Sequence, residues 1–153
     1  MSATGLEVFD KTIQVTNTWL GEIMERLGPD RHVAWHVLGA VLRTVRDRLP
    51  LGLSAHLAAQ LPLLVRGTYY DQWLPTQEPQ KWRSQEEFLA ALSEKLRNTR
   101  PVAPAEAARA VFMVLNHHVD PGQVAHVRQS LPEDIRKLWP LTNADVRQDE
   151  SAA

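Results

Sequence analysis

Two stretches decide how this chain is read: AVLRTVRDRLPLGLSAHLAAQLPLLVRG at 40–67 and AVFMVLNHHVDPGQVAHVRQSLPEDIRK at 110–137. Under a shift of 70 residues, eight of the 31 positions in 40–70 match their counterparts in 110–140. They are Ala40/Ala110, Val41/Val111, Gly52/Gly122, Ala55/Ala125, His56/His126, Leu61/Leu131, Pro62/Pro132 and Arg66/Arg136. Chance pairing at ordinary composition gives roughly two. With a shift of 69, WLGEIMERL from Trp19 aligns with FLAALSEKL from Phe88. The reading is two pseudo-equivalent four-helix units of about 55 residues. Each is too small for a comfortable core of its own, so a shared core or broad interface is expected.

Working outward, the apolar spacing is helical throughout. Phe9, Ile13, Thr16, Leu20, Ile23 and Leu27 repeat at intervals of four and three, one face of a helix that Gly28-Pro29 ends. Asp30 is placed to cap a second helix, and Pro50 stops it. Short third and fourth helices follow on either side of Pro62. Ser84-Gln85-Glu86-Glu87 and Asp120-Pro121-Gly122-Gln123 read as capping boxes for the fifth and seventh helices. Pro104 starts the sixth, and Pro132-Glu133-Asp134 the eighth. No alternating β-branched run bounded by hairpin turns is present. The fold class is therefore all-α, with about eight helices. The expected division is an extension of the first helix at 1–17, a first repeat at 18–73, a stiff proline-bearing linker at 74–84, a second repeat at 85–140 and a disordered polar tail at 141–153.

FDKTIQVTNTWL, AVLRTVRDRLP, AHLAAQLPLLVRGTYYDQW and GQVAHVRQSLPEDIRKLWP together resemble the domain of unknown function 2267 family, over about residues 9–140. The resemblance implies an all-helical soluble bacterial protein with tandem copies of the unit, and no established activity comes with it. Gln123 stands where the family's motif has an acidic residue, so no metal or acid–base role is expected there.

The 153-residue chain has 17 basic and 18 acidic residues and no cysteine. Disulfide frameworks, thiolate nucleophiles and thiolate metal centres are thereby excluded. The first half, 1–73, carries seven bases and seven acids, and the second carries ten and eleven. Nucleic acid is not an expected partner of a chain so balanced. Arg43, Arg46 and Arg48 form a local basic stripe, but Asp47 sits four residues from Arg43 and is placed to neutralise it. No membrane association is expected, because the longest apolar candidate, 49–65, is broken by Pro50, His56, Gln60 and Pro62. A cytoplasmic location follows as the default.

Three constellations are candidates for function. His32 and His36 stand one turn apart and can chelate a metal ion, although Val33 rules out the HExxH pattern. The competing reading is two surface histidines flanking Trp35. His56 and His126 recur at equivalent places, either as ring donors to carbonyls at helix junctions or as a pH-sensitive pair. Arg66, Tyr69, Tyr70 and Trp73, echoed by Arg136 and Trp139, are the residue types of interface hot spots. Their alternative is a core role, with Arg66 paired to an acid. Gly67, inside a helix, is expected to admit a close helix or ring. No catalytic motif or cofactor motif appears, and neither catalysis nor a cofactor is expected. The preferred reading is a non-catalytic interaction or scaffold module binding a protein partner or its own copy. The alternative is a metal- or small-ligand-binding protein using His32/His36 or a cleft between the repeats.

Overall fold

Val37, Leu38, Gly39, Ala40, Val41 and Leu42 are buried in succession, so their helix is covered on every side. This helix, α2 (Arg31–Arg48), is the centre of an all-α structure. The computed structural model describes residues 3–141. Among the described residues there are eight helices and no strand. Besides α2 they are α1 (Glu7–Leu27), α3 (Leu51–Gln60), α4 (Leu63–Tyr70), α5 (Gln85–Lys95), α6 (Pro104–His118), α7 (Pro121–Ser130) and α8 (Glu133–Arg136). α2 packs against α1, α4, α5 and α6, and α6 also meets α1, α5 and α7. α3 lies against α4 and α7. The tail from 142 onward, expected to be disordered, lies outside the described residues.

Local chemistry explains the boundaries. Asp30 accepts from the His32 and Val33 amides, and Asp120 from that of Gln123. Ser84 accepts from the Glu87 amide and donates its hydroxyl to the Glu87 carboxylate. Leu61 and Leu131 close α3 and α7 in the same way, each donating its amide to the carbonyl three residues back. Pro62 and Pro132 follow with matching φ of -56°.

α1 departs from its sequence pattern. Phe9 and Ile13, expected inside, are 46% and 42% exposed. Thr12, Thr16, Trp19, Leu20 and Ile23 form the buried face. A straight helix drifts about 20° per heptad against a four-three repeat. Over the two heptads from Phe9 to Ile23 that drift turns the early positions outward. Trp19, the largest side chain, fixes which face goes in. Thr12 then meets the start of α4, where its Oγ1 accepts from the Leu64 amide at 3.4 Å.

The polar residues of the interior tie helices together. Arg46 is 4% exposed and donates to the Tyr69 and Asp71 carbonyls at 2.7 and 2.8 Å, clamping the end of α4 to α2. Its Nε and Nη2 engage Asp47. Asp47 is thus taken by Arg46 and by Lys95, 3.8 Å away. Arg43, expected to pair with Asp47, instead faces Asp71 across 3.8 Å. The segment after α4 is not simply extended. It turns at Gln72, whose φ is 61°, and returns to α2, where the Gln80 amide donates to the Asp47 carbonyl. Trp82 anchors it, buried to 7% exposure, beneath Arg48, which donates to its carbonyl and lies over its ring.

Close helix approach occurs at Gly39 rather than at Gly67. A Cβ at Gly39 would stand 2.9 Å from Thr68 Oγ1 and 3.3 Å from an Arg43 guanidinium nitrogen, whereas one at Gly67 would meet nothing within 4 Å. Gly67→Ala should therefore stabilise the protein by about 0.5–1 kcal/mol through helix propensity. Gly39→Ala should gain nothing from the same change. Chemical denaturation of the two variants checks this, and equal midpoints would contradict the packing assignment.

Candidate functional site

α1 packs against α6, and the seam between them holds a convergent cluster of one carboxylate and two imidazoles. Glu22 projects from the C-terminal third of α1, and His117 and His118 are the last two residues of α6. His117 Nδ1 donates to one Glu22 oxygen at 2.5 Å, and His118 Nε2 donates to the other at 2.9 Å. The rings lie 4.5 Å apart. His118 also stacks on Trp19, with ring centres 5.3 Å apart and planes 21° apart. The Glu22 and His118 side chains are 24% and 23% exposed, while His117 is open to solvent at 69%. These are the described residues in which three or more potential metal-ligand side chains converge.

A groove of about 330 Å³ begins at the same His118 and runs between α1 and the α3–α4 corner. Val8, Val15, Leu61 and Leu63 give it apolar walls, and Lys11 lies at its side. Trp19 lines it too, with its indole N–H buried and without a partner among the described residues. Outside the groove, Leu6, Phe9 and Ile13 of the α1 segment and Leu64 of α4 are all exposed by 42% or more.

The residues singled out in the sequence go elsewhere. His36 donates Nε2 to the Lys95 carbonyl at 2.9 Å, and His32 is exposed at the start of α2. The structure brings no third ligand of the described set to this pair. His56 and His126 are exposed on α3 and α7. Neither ring makes the hydrogen bond to a junction carbonyl that was expected of it. At the end of α3 that role belongs to Arg66, whose guanidinium donates to Ala58, Ala59 and Leu61 carbonyls, not to an acid.

Tyr69 and Trp139 are core residues, at 0% and 2% exposure, and no partner can reach them. The Trp139 ring lies flat on Phe112, 4.2 Å centre to centre, and its N–H donates to Asn116 Oδ1 at 2.6 Å. Arg136 is half-buried, and its Nε has no partner among the described residues. Tyr70 and Trp73 stack on one another at 5.2 Å, with Tyr70 37% exposed. Of the aromatic residues in the proposed hot spots, only this stacked pair remains near the surface.

Glu22, His117 and His118 escaped sequence reasoning because nothing in the chain links positions 95 residues apart. The adjacent histidines at a helix end were the available signal, and the packing of α1 on α6 supplied the rest.

Tyr69 gives a test of this placement. Its hydroxyl donates to the Ser54 carbonyl at 2.9 Å and lies 2.7 Å from the fully buried Ser54 Oγ. Burial pushes the phenol well above its ordinary value of 10.0. The neutral form is the one favoured by folding, so this stabilisation is complete below about pH 10 and is lost as pH rises above it. Stability measured across the alkaline limb should fall more steeply in the native protein than in Tyr69→Phe. That variant should also lose about 1 kcal/mol at neutral pH from the missing hydrogen bond.

No helix among the described residues is long and apolar enough to cross a membrane. No curated protein matches the chain. The family described as "Uncharacterized conserved protein (DUF2267)" matches residues 16–138. That match covers α2 to α8 and the part of α1 that carries Trp19 and Glu22, so the seam lies within it, and the chain belongs to this family.

Proposed function

We propose that this protein is a non-catalytic interaction module, formed of two tandem helical units in the cytoplasm of a bacterium, which docks apolar side chains of a protein partner on the outer face of α1. The observation that carries this reading is the solvent-facing apolar set Leu6, Phe9 and Ile13, with Leu64 of the neighbouring helix also exposed. A helix that buries one face normally presents polar residues on the other. Here Phe9 and Ile13, one turn apart, remain outside. Apolar groups at this spacing are what a helical partner reads. Clustered apolar exposure of this kind marks interaction surfaces. The adjoining groove offers a recess for an anchoring side chain. Balanced charge in both halves fits a protein partner better than a polyanion.

The test is the double variant Phe9→Asp/Ile13→Asp. Both positions are exposed, so its melting behaviour should match the native protein. Sedimentation velocity over a range of concentrations reads self-association, and quantitative affinity capture from the native host reads other partners. The variant should lose the complex, with affinity falling by about thirtyfold or more for a hot-spot pair. An unchanged complex, or a native protein that is monomeric and captures nothing beyond what the variant captures, would remove the reading.

A further inference from the structure

The α1–α6 seam holds a feature that a protein-docking face does not require. Two imidazoles from consecutive residues converge on one carboxylate from another helix. One potential ligand atom from each of Glu22, His117 and His118 lies within 4.8 Å of the other two, and the nitrogens that face the carboxylate are His117 Nδ1 and His118 Nε2. Three donors bound to a single ion at about 2.0–2.1 Å stand roughly 3.3 Å apart. Small side-chain rotations therefore suffice to bring them around one centre.

The surroundings favour a cation there. The histidines end α6, where the helix dipole is negative. His118 is held in orientation by its stack on Trp19. His117 is 69% exposed, so an ion can enter from solvent without opening the fold. Under the 70-residue shift, His117 and His118 align with Asp47 and Arg48. Those counterparts are spent on structural ties to Arg46, Lys95 and Trp82. Among the described residues the two histidine rings hydrogen-bond to Glu22 and not to the backbone.

We propose that Glu22, His117 and His118 form a binding site for a divalent transition-metal ion of the zinc type. Two imidazoles and one carboxylate are a borderline nitrogen–oxygen set, which suits zinc and its neighbours and is poor for magnesium or calcium. On loading, the proton on His117 Nδ1 moves to Nε2, and that on His118 Nε2 moves to Nδ1, freeing one lone pair on each ring. Glu22 exchanges two hydrogen bonds for one coordinate bond. Three protein ligands leave a coordination position for water or for a donor atom from outside the chain. The His32/His36 pair is the internal control, because His36 Nε2 is already committed to the Lys95 carbonyl.

The experiment is a calorimetric titration of the full chain with Zn²⁺, followed by ¹⁵N spectra of the imidazoles. One equivalent should bind, and the resonances of His117 Nδ1 and His118 Nε2 should shift while those of His56 and His126 stay in place. Glu22→Gln and His117→Ala should each weaken binding by more than about tenfold. His32→Ala/His36→Ala should leave it unchanged. The proposal is overturned by the absence of saturable binding, by shifts confined to other histidines, or by full affinity in the Glu22→Gln and His117→Ala variants. Should a variant unfold, the spectra of the native protein decide alone.

Discussion

The structure depends on the burial of α2 and α6. Six consecutive residues of α2 are shielded from water, and α6 buries Ala107, Ala108, Ala110, Val111, Phe112, Val114 and Leu115. Helices this apolar around their circumference cannot lie at a surface. They pack on each other, and α1, α4, α5 and α7 cover the faces that remain. Gly39 lets α4 approach α2 closely, and the aromatic series Trp82, Phe88, Phe112 and Trp139 fills the space around α6.

Burying helix ends costs free energy unless their carbonyls find donors. Arginine meets this need at two places in the first half. Arg46 serves the end of α4, and Arg66 the end of α3. A guanidinium offers five donors in a fixed fork, so one side chain can hold several carbonyls at once. Arginines and aromatics that resemble a recognition patch in the sequence are therefore largely internal fastenings. The same residue types serve both purposes, and only their surroundings distinguish them.

The seam between α1 and α6 shows the complementary case. Its carboxylate and histidines look unremarkable along the chain, with Glu22 in an amphipathic helix and His117-His118 before a short turn. Folding places them within hydrogen-bonding distance and sets an apolar groove beside them. His118 belongs to both features, touching the carboxylate through its edge and Trp19 through its face.

Helix identity and most helix limits were written in the sequence, because capping residues, prolines and apolar spacing act over a few residues. The caps at Asp30, Ser84 and Asp120 are local in this sense. The orientation of α1 was not. A four-three pattern leaves the inward direction ambiguous by tens of degrees, and the neighbours of Trp19 and Thr12 settled it. Nor could the chain reveal which histidines meet a carboxylate, since that depends on a crossing between helices separated by 76 residues, from Leu27 to Pro104. Local physics determined the elements of this protein, and the packing of distant elements decided what they expose and what they bring together.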